Sequence, residues 1–351
     1  MPTKRTNSLS YAASGVNISA ADRAKRGMAK DLKTNDRRVL NALGAFASLF
    51  DARFPGYKHP VLVLKTEEPG SKQKIALEHG HARSLCFDMI NHLVNDIAVM
   101  GAVPLAVQDA IVCGKLESKT VREIVSGIAD ACRAQGCVLT GGETSEQPGV
   151  LPAGTYIVTS SIVGVVEKAK VIDGSRIRER DCVIGVASNG LHTNGYSLVR
   201  ALLKKHPALA KKKIGRRTFL ETILLPHTCY YQALRGLFDD RSLHGMAHIT
   251  GSGIGGNLNR ILPPQLDAMI DLSQIDILPI FRVIRETANL SDREMLQTFN
   301  MGVGLTIVAK RSAAKRIMEH LKRNGHRSSV IGEIIPGTKT VKFRGALVWK
   351  R

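Results

Sequence analysis

Short apolar runs typical of β-strands alternate along this chain with longer amphipathic patterns typical of α-helices. A chain that switches repeatedly between the two patterns must pack helices against sheets, because neither element buries its apolar face alone. The alternation therefore predicts an α/β or α+β fold. The predicted strands are Val61–Leu64, Leu105–Val107, Tyr156–Val166, Val183–Ala187, Met246–Ile249, Ala268–Ile270 and Gly304–Val308, and the predicted helices cover 88–100, 119–134, 195–204 and 312–324.

Length and a local change in composition divide the chain into two domains. Its 351 residues exceed the usual size of one hydrophobic core. A charged, glycine-containing stretch at 168–180 separates two apolar runs and marks the predicted boundary. We therefore expect a polar, basic N-terminal segment at 1–35, an N-terminal domain at 36–170 and a C-terminal domain at 171–351.

The net charge of +20 is concentrated in residues 1–40, 200–217 and 310–351. Such basicity suits either small anionic substrates or nucleic acid. The low aromatic content of 5% and the lack of a nucleic-acid-binding motif argue against nucleic acid as a partner. No apolar run approaches the roughly 18 residues that cross a bilayer. The six cysteines include no Cys-x-x-Cys pair, so we expect a protein of the reducing cytoplasm without a membrane partner.

Three glycine-containing polar clusters follow apolar runs. Glycine lets the backbone approach an anion closely, and a helix that begins just afterwards adds the positive end of its dipole. One such loop is a weak signal, but three in one chain predict a site for more than one phosphate group. The clusters are Gly141–Thr144, Ser188–Gly195 and His248–Gly253.

Two acidic residues are candidate metal ligands. The predicted helix at 88–100 has one apolar face and one polar face, which carries Asp88, His92, Asn95 and Asp96. A polar stripe is usually a solvated surface, but this one has no lysine or arginine, and its acids are short enough to serve as fixed ligands. Glu143 follows an apolar run within the first cluster, so it could point into a cleft and hold Mg²⁺ together with Asp96. The alternative is that Glu143 caps a helix or lies in water.

Two histidines belong to the other clusters. His192 precedes Thr193 and Asn194, either of which is a predicted N-cap, so its imidazole would lie beside an anion-binding helix end. His248 lies on a predicted strand, where a lone histidine is more often a satisfied core residue than a ligand.

A dinucleotide-binding site is a further alternative. Gly251, Gly253 and Gly256 fit the G-x-G-x-x-G spacing, and Asp271 follows twenty residues after the first glycine. The motif has many false positives, it begins two thirds of the way along the chain, and it leaves the earlier carboxylates unused. A dehydrogenase is therefore the weaker interpretation.

Taken together, these residues give the chain a resemblance to the phosphoribosylformylglycinamidine cyclo-ligases, the aminoimidazole ribonucleotide synthetases of purine biosynthesis. The resemblance covers most of the chain. The last two matching segments are more specific to these enzymes than to relatives such as thiamine-monophosphate kinase, selenophosphate synthetase and a hydrogenase-maturation protein. The matching segments are Tyr11–Ile18, Asn95–Pro104, Gly141–Gly149, Ser188–Ser197, Gly245–Gly251 and Thr298–Gly304.

The resemblance implies two α/β domains and a homodimer whose N-terminal strands build a shared barrel. The domain at 36–170 would bind ATP and Mg²⁺, and the domain at 171–351 would complete the substrate and phosphate site. ATP would phosphorylate the formamide oxygen of formylglycinamidine ribonucleotide, and the substrate's own nitrogen would then displace phosphate. This order is chemically sensible, because an amide oxygen is a poor leaving group until it is phosphorylated.

The resemblance also implies roles for individual residues. The metal ligands would be Asp96, Glu143 and Glu67, and the catalytic residues His192 and His248. The substrate would contact Asn194, Thr250 and Gly251, and ATP would contact Lys72, Gly70, Ser71, Gly141, Gly142 and Thr144.

The expected nucleotide loop departs from the family pattern. That loop usually has the sequence Thr-Asp-Gly-Val-Gly-Thr-Lys, whereas Thr66–Lys72 has Thr-Glu-Glu-Pro-Gly-Ser-Lys. Pro69 removes an N–H donor, and Glu68 adds negative charge where phosphate should lie. Two alternatives therefore stay open: an ATP-dependent kinase or synthetase of the same superfamily with another acceptor, or a non-catalytic nucleotide-binding relative.

Overall fold

The computed structural model, which describes residues 34–41 and 46–349, contains two main β-sheets. The first has the strand order β1-β4-β2-β3, in which β2 and β3 run parallel and the other neighbours antiparallel. Its strands are β1 (Pro60–Glu67), β2 (Val103–Cys113), β3 (Val138–Glu146) and β4 (Tyr156–Glu167).

Among the described residues, helices cover only one face of this sheet. Helix α2 (Ala82–Ala98) packs on α3 (Ser118–Ala134) and contacts β1, β2 and β4, and the short helix α1 (Lys72–Glu78) precedes them. Alternation along β1 sends Val61 and Val63 towards this core, whereas Leu62 and Leu64 are 53% and 69% exposed on the other face. In the part of the chain that the structure describes, the first sheet therefore has one covered face and one open apolar face.

The second sheet has six strands in the order β12-β9-β11-β5-β10-β8. Neighbouring strands are antiparallel except for β12 beside β9. Every residue of β8 and β10 is buried. The strands are β5 (Cys182–Ala187), β8 (Leu243–His248), β9 (Leu266–Asp271), β10 (Val303–Ala309), β11 (Ser328–Pro336) and β12 (Val341–Arg344), and β6 (Lys213–Ile214) pairs with β7 (Arg217–Thr218) in a separate hairpin.

Helix α2 lies between the two halves of the molecule, of which the first contains the four-stranded sheet and the second contains the six-stranded sheet. Its residues Met89 and Ile97 share one hydrophobic cluster with Tyr230 and Leu234 of the second half. The helices of the second half are α4 (Tyr196–Lys205), α5 (Phe219–Ile223), α6 (Tyr231–Arg235), α7 (Gly253–Leu258), α8 (Pro279–Ala288), α9 (Asp292–Thr298) and α10 (Ala314–Arg323).

The mixed α/β class is confirmed, and each predicted strand and helix overlaps an element of the structure. The dinucleotide alternative is wrong, because β8 is an antiparallel edge strand followed by a helix of only 6 residues, and not the start of a parallel βαβ unit. The predicted segment at 1–35 lies outside the described residues except for its last two, and the domain limits stay a prediction. Among the helices described, none has the length and apolar content needed to cross a membrane.

Candidate active site

The polar face of α2 meets the end of β1. Lys65 Nζ lies 2.6 Å from Glu67 Oε1 and 3.2 Å from Asp96 Oδ2. His92 Nε2 lies 3.6 Å from Asp96 Oδ2 and 3.9 Å from Glu67 Oε1. The structure thus brings Glu67 and Asp96 together. The Lys65 ammonium group lies between them, where a metal ion would otherwise bind.

The two carboxylates form a site for a cation. Burial opposes ionisation of Asp96, yet the hydrogen bond from His248 and nearby positive groups outweigh it and hold the Asp96 pKa well below its usual range. Burial also disfavours the charge of Lys65, but Glu67 and Asp96 outweigh it and raise the Lys65 pKa. Paired carboxylate oxygens are ligands that Mg²⁺ prefers. Since the Lys65 side chain is 33% exposed and can swing outwards, the residues present fit Mg²⁺.

Asp96 also orients His248. Its Oδ1 lies 2.7 Å from His248 Nδ1, so Nδ1–H donates to the carboxylate and the lone pair is left on Nε2. That Nε2 lies 2.9 Å from His227 Nε2. The backbone N–H of His227 donates to Asp88 Oδ1 at 2.7 Å. Sequence reasoning missed His227, whose one signal is its place next to Pro226 between two short helices.

His192 points into the protein rather than towards an exposed helix end. Its ring is 2% exposed and stacks on His227 with 3.8 Å between centroids. The predicted N-cap is wrong: Gly195, with φ +78°, occupies that position, and His192 itself has φ +61°. A Cβ on Gly304 would lie 2.6 Å from His192 Cε1, so this glycine makes room for the ring. Burial lowers the pKa of His192 and of His227, because a buried ring loses the water that would solvate its charge.

The second and third glycine clusters lie side by side. Asn194 Oδ1 would be 3.3 Å from a Cβ on Gly251, and Thr250 Oγ1 donates to Asn257 Oδ1 at 3.3 Å. Thr193 Oγ1 lies 3.2 Å from His92 Nδ1, which connects the second cluster to α2. The predicted substrate residues are therefore neighbours in space.

Lys72 is enclosed, unlike the ATP-contacting lysine that the resemblance implies. Its side chain is 0% exposed, and Nζ donates to Asp88 Oδ1 at 2.8 Å, the Leu225 carbonyl at 2.7 Å and the His192 carbonyl at 3.3 Å. These bonds use all three ammonium hydrogens. Burial lowers the Lys72 pKa and raises that of Asp88 to about 6, while their contact opposes both shifts. Lys72 therefore links Asp88 of the first half to carbonyl groups of the second half through buried hydrogen bonds.

The loop before Lys72 lies against the second cluster. Gly70 has φ +59°, and a Cβ there would be 3.5 Å from the Thr193 carbonyl. Ser71 begins α1 without a side-chain capping bond. The predicted nucleotide loop thus borders the predicted substrate loop.

The first glycine cluster is not a turn. Gly141, Gly142 and Thr144 lie within β3, and no helix follows them directly, so the turn and helix start predicted here are wrong, while ATP contact by these residues stays a prediction. Glu143 is exposed, and its Oε1 accepts the Thr144 N–H at 3.0 Å. β3 and β1 are opposite edges of the sheet, three strand spacings or about 14 Å apart. The structure therefore does not bring Glu143 to Glu67.

Asp109 is an acid that sequence reasoning missed. It lies on β2 in a row with Ser160 and Glu67, and this row faces α2. Burial raises the pKa of Asp109 to about 7. A Cβ on Gly142 would collide with its carboxylate, so glycine is required beside it. The sequence signal that could have found Asp109 is an acidic residue within the otherwise mostly apolar segment that forms β2.

Asp109→Asn is expected to stabilise the protein more at pH 8 than at pH 5. The folded pKa of about 7 lies above the ordinary 3.8, so the folded state keeps a proton that the unfolded state releases. Wild-type stability should fall as pH rises through this window, by up to about 1.4 kcal/mol per pH unit from this group. Asparagine does not titrate. Unfolding free energies in urea test this, and a mutant–wild-type gap equal at both pH values would contradict the raised pKa.

Solved structures establish the fold. Thiamine-monophosphate kinase from Stenotrophomonas maltophilia has a TM-score of 0.66 at 16% identity and covers 95% of this chain and 98% of its own. HypE from E. coli has a TM-score of 0.65 at 16% identity and covers 94% and 95%. A hydrogenase maturation protein HypE in complex with ATP has a TM-score of 0.64 at 14% identity and covers 91% and 87%.

Closer relatives establish the family. The AIR synthase related N-terminal domain matches residues 57–166, and the C-terminal domain matches residues 178–343. Phosphoribosylformylglycinamidine cyclo-ligase of Nitrosococcus oceani is 39% identical over 339 residues, which are 96% of this chain and 95% of the relative. The Bacillus mycoides cyclo-ligase is 37% identical over 342 residues, 96% and 99% of the two chains. This chain therefore belongs to the phosphoribosylformylglycinamidine cyclo-ligase family of AIR synthase related proteins.

Proposed function

We propose that this chain closes the imidazole ring of aminoimidazole ribonucleotide at the expense of ATP. The formamide oxygen of formylglycinamidine ribonucleotide attacks the γ-phosphorus, and ADP leaves. A nitrogen of the same substrate then attacks the activated carbon, the C–O bond breaks with phosphate as leaving group, and the nitrogen loses a proton. The products are aminoimidazole ribonucleotide, ADP and phosphate. Relatives named as this cyclo-ligase and a HypE structure titled as an ATP complex support the proposal.

One observation carries this assignment: Asp96 connects the two halves of the molecule. Its Oδ2 faces Lys65 beside Glu67, and its Oδ1 holds His248. The carboxylates could bind the cation that accompanies the ATP triphosphate, and the glycine clusters beside His248 could bind the phosphate of the substrate.

We assign proton transfer to His248. Because its Nδ1–H is bonded to Asp96, His248 carries a lone pair on Nε2, which can accept the proton of the attacking nitrogen. His227 contacts this atom in the structure, so ring closure requires the substrate nitrogen to reach it instead. We assign substrate orientation to His192, Asn194 and the third glycine cluster, which includes Thr250 and Gly251.

We assign Mg²⁺ binding to Glu67 and Asp96. When bound, the ion neutralises phosphate oxygens as charge develops on them. Gly70 and Ser71 lie next to this site along the chain, and Lys72 positions their loop from inside through its bonds to Leu225 and His192.

Lys65→Met is expected to raise the affinity for divalent cations at least about tenfold, because the competing ammonium is removed from between Glu67 and Asp96. Mn²⁺ titration followed by electron paramagnetic resonance measures this without turnover. Lys74→Met is the matched control, since Lys74 is 57% exposed and pairs with Glu78. Equal Mn²⁺ affinity in wild type and Lys65→Met would show that Lys65 does not compete for the site.

We propose that the open face of the first sheet pairs with a second copy of this chain. Leu62, Leu64 and Ile157 expose 53%, 69% and 38% of their surface there, and burying such a patch favours association.

The 6 free cysteines in the described residues suit a reducing compartment such as the cytoplasm.

Leu64→Lys is expected to convert the dimer to monomer, because two buried charges would face each other across the symmetric contact. Light scattering after size-exclusion chromatography measures the mass. Val348→Lys, at a site 48% exposed in the second half, should leave the dimer intact. A dimeric Leu64→Lys protein would place the interface elsewhere.

A coupled assay tests the reaction. Purified protein with ATP, Mg²⁺ and formylglycinamidine ribonucleotide should release ADP and aminoimidazole ribonucleotide in equal amounts. ADP release only with another acceptor would favour the superfamily kinase alternative. Nucleotide binding without turnover would favour the non-catalytic one.

A further inference from the structure

Three buried histidines converge where the two halves meet. His192, His227 and His248, here called the histidine cluster, are 2%, 1% and 5% exposed. One ring nitrogen from each lies within 4.8 Å of the other two. The proposed reaction gives His227 no role.

Three ring nitrogens of this cluster have no hydrogen-bond partner among the described residues. Because His248 Nδ1–H donates to Asp96, His248 Nε2 accepts, and His227 Nε2–H must be the donor at 2.9 Å. That leaves His227 Nδ1 as a buried lone pair, and it has no partner among the described residues. Both ring nitrogens of His192 are also without one in the described part of the chain. Buried polar atoms are rarely left in this state, so something is expected to satisfy them.

We propose that the histidine cluster binds a divalent first-row transition-metal ion such as Zn²⁺, Co²⁺ or Ni²⁺. Neutral imidazole is the nitrogen ligand that these ions favour. The Asp96–His248 contact is the carboxylate–histidine arrangement that orients ligands in metal sites.

The geometry allows such an ion after small ring movements. Zinc–nitrogen bonds of about 2.0–2.1 Å in a tetrahedron separate ligand atoms by roughly 3.3 Å. His227 and His248 are slightly closer than this, at 2.9 Å between their Nε2 atoms, and His227 must carry its proton on Nδ1 rather than Nε2 when Nε2 binds the ion. His192 must rotate off the stacked position on His227, where their centroids are 3.8 Å apart.

This site is separate in chemistry from the carboxylate site for Mg²⁺. Asp96 faces the hard-cation site with Oδ2 and supports the imidazoles with Oδ1. An ion held by His248 Nε2 removes the lone pair that we assign to proton transfer. The metal-loaded protein is therefore expected to close the ring slowly, and chelation should restore the rate.

Cobalt absorption tests metal binding independently of the reaction. Chelator-treated full-length protein titrated with Co²⁺ should develop the visible bands of a low-coordinate nitrogen site at one equivalent, and Zn²⁺ should abolish them. His227→Gln should weaken Co²⁺ binding at least about tenfold. His244→Gln is the matched control, because His244 is also buried and bonded to a carboxylate, Asp181 at 2.7 Å, outside the cluster.

Circular dichroism checks that each variant folds. Absence of the bands in the wild type, or equal Co²⁺ affinity in folded His227→Gln, would overturn the metal site whether or not the chain closes the ring. If His227→Gln does not fold, the wild-type spectrum decides alone. Conversely, full ring closure by cobalt-loaded protein would refute the proton-transfer role of His248 while leaving the metal site intact.

Discussion

Asp96→Asn is expected to lower the rate of ring closure by about 10³-fold. The substitution removes the charge that faces Lys65 and Glu67, and it removes the carboxylate that fixes the His248 tautomer. A wrong tautomer or a lost ligand each costs one to several orders of magnitude in comparable sites. Steady-state kinetics with saturating ATP and substrate measure the loss.

Asp130→Asn is the control for this substitution. Asp130 is also a helical acid with cationic partners, Arg83 and Arg133, but it lies on α3 away from the site. It should keep wild-type activity. An Asp96→Asn enzyme that retains more than a tenth of the activity would remove Asp96 from the centre of the mechanism.

Lys72→Met is expected to reduce the free energy of unfolding by about 3–5 kcal/mol, because it leaves the Asp88 carboxylate buried without its cation. Both side chains are 0% exposed, so solvent does not screen the loss. Urea unfolding at pH 7.5 measures it. A loss below about 1 kcal/mol would contradict the buried ion pair.

The double variant Lys72→Met/Asp88→Asn separates a structural role of Lys72 from a nucleotide-binding one. Removing both charges should recover most of the lost stability, since no unpaired ion remains. If Lys72 instead contacts ATP phosphates, the double variant will be stable but will have lost ATP affinity. Calorimetric titration with an ATP analogue measures that affinity.

Local patterns predicted most of the secondary structure. The apolar runs that became β1, β4 and β10 and the amphipathic pattern of α2 depend on neighbouring residues in the chain, which the sequence displays directly. The glycines of β3 were misassigned to a turn because Gly-Gly usually marks one. Here Gly142 is required for the close approach of Asp109, a contact between separate strands.

The site was predictable in part for the same reason. Asp96 was found on the polar face of its predicted helix and His248 within the third glycine cluster, and the structure places their side chains 2.7 Å apart. The enclosure of Lys72 depends on Asp88 and on carbonyl groups far along the chain, and His227 lies in a segment without a motif. Such contacts arise only when the two halves pack together.

Transfer of labelled oxygen tests the central claim most directly. Formylglycinamidine ribonucleotide carrying ¹⁸O in its formamide group would be converted with unlabelled ATP, and the phosphate analysed by mass spectrometry. Activation of that oxygen by ATP predicts one ¹⁸O atom in each phosphate released. Unlabelled phosphate formed together with aminoimidazole ribonucleotide would contradict it.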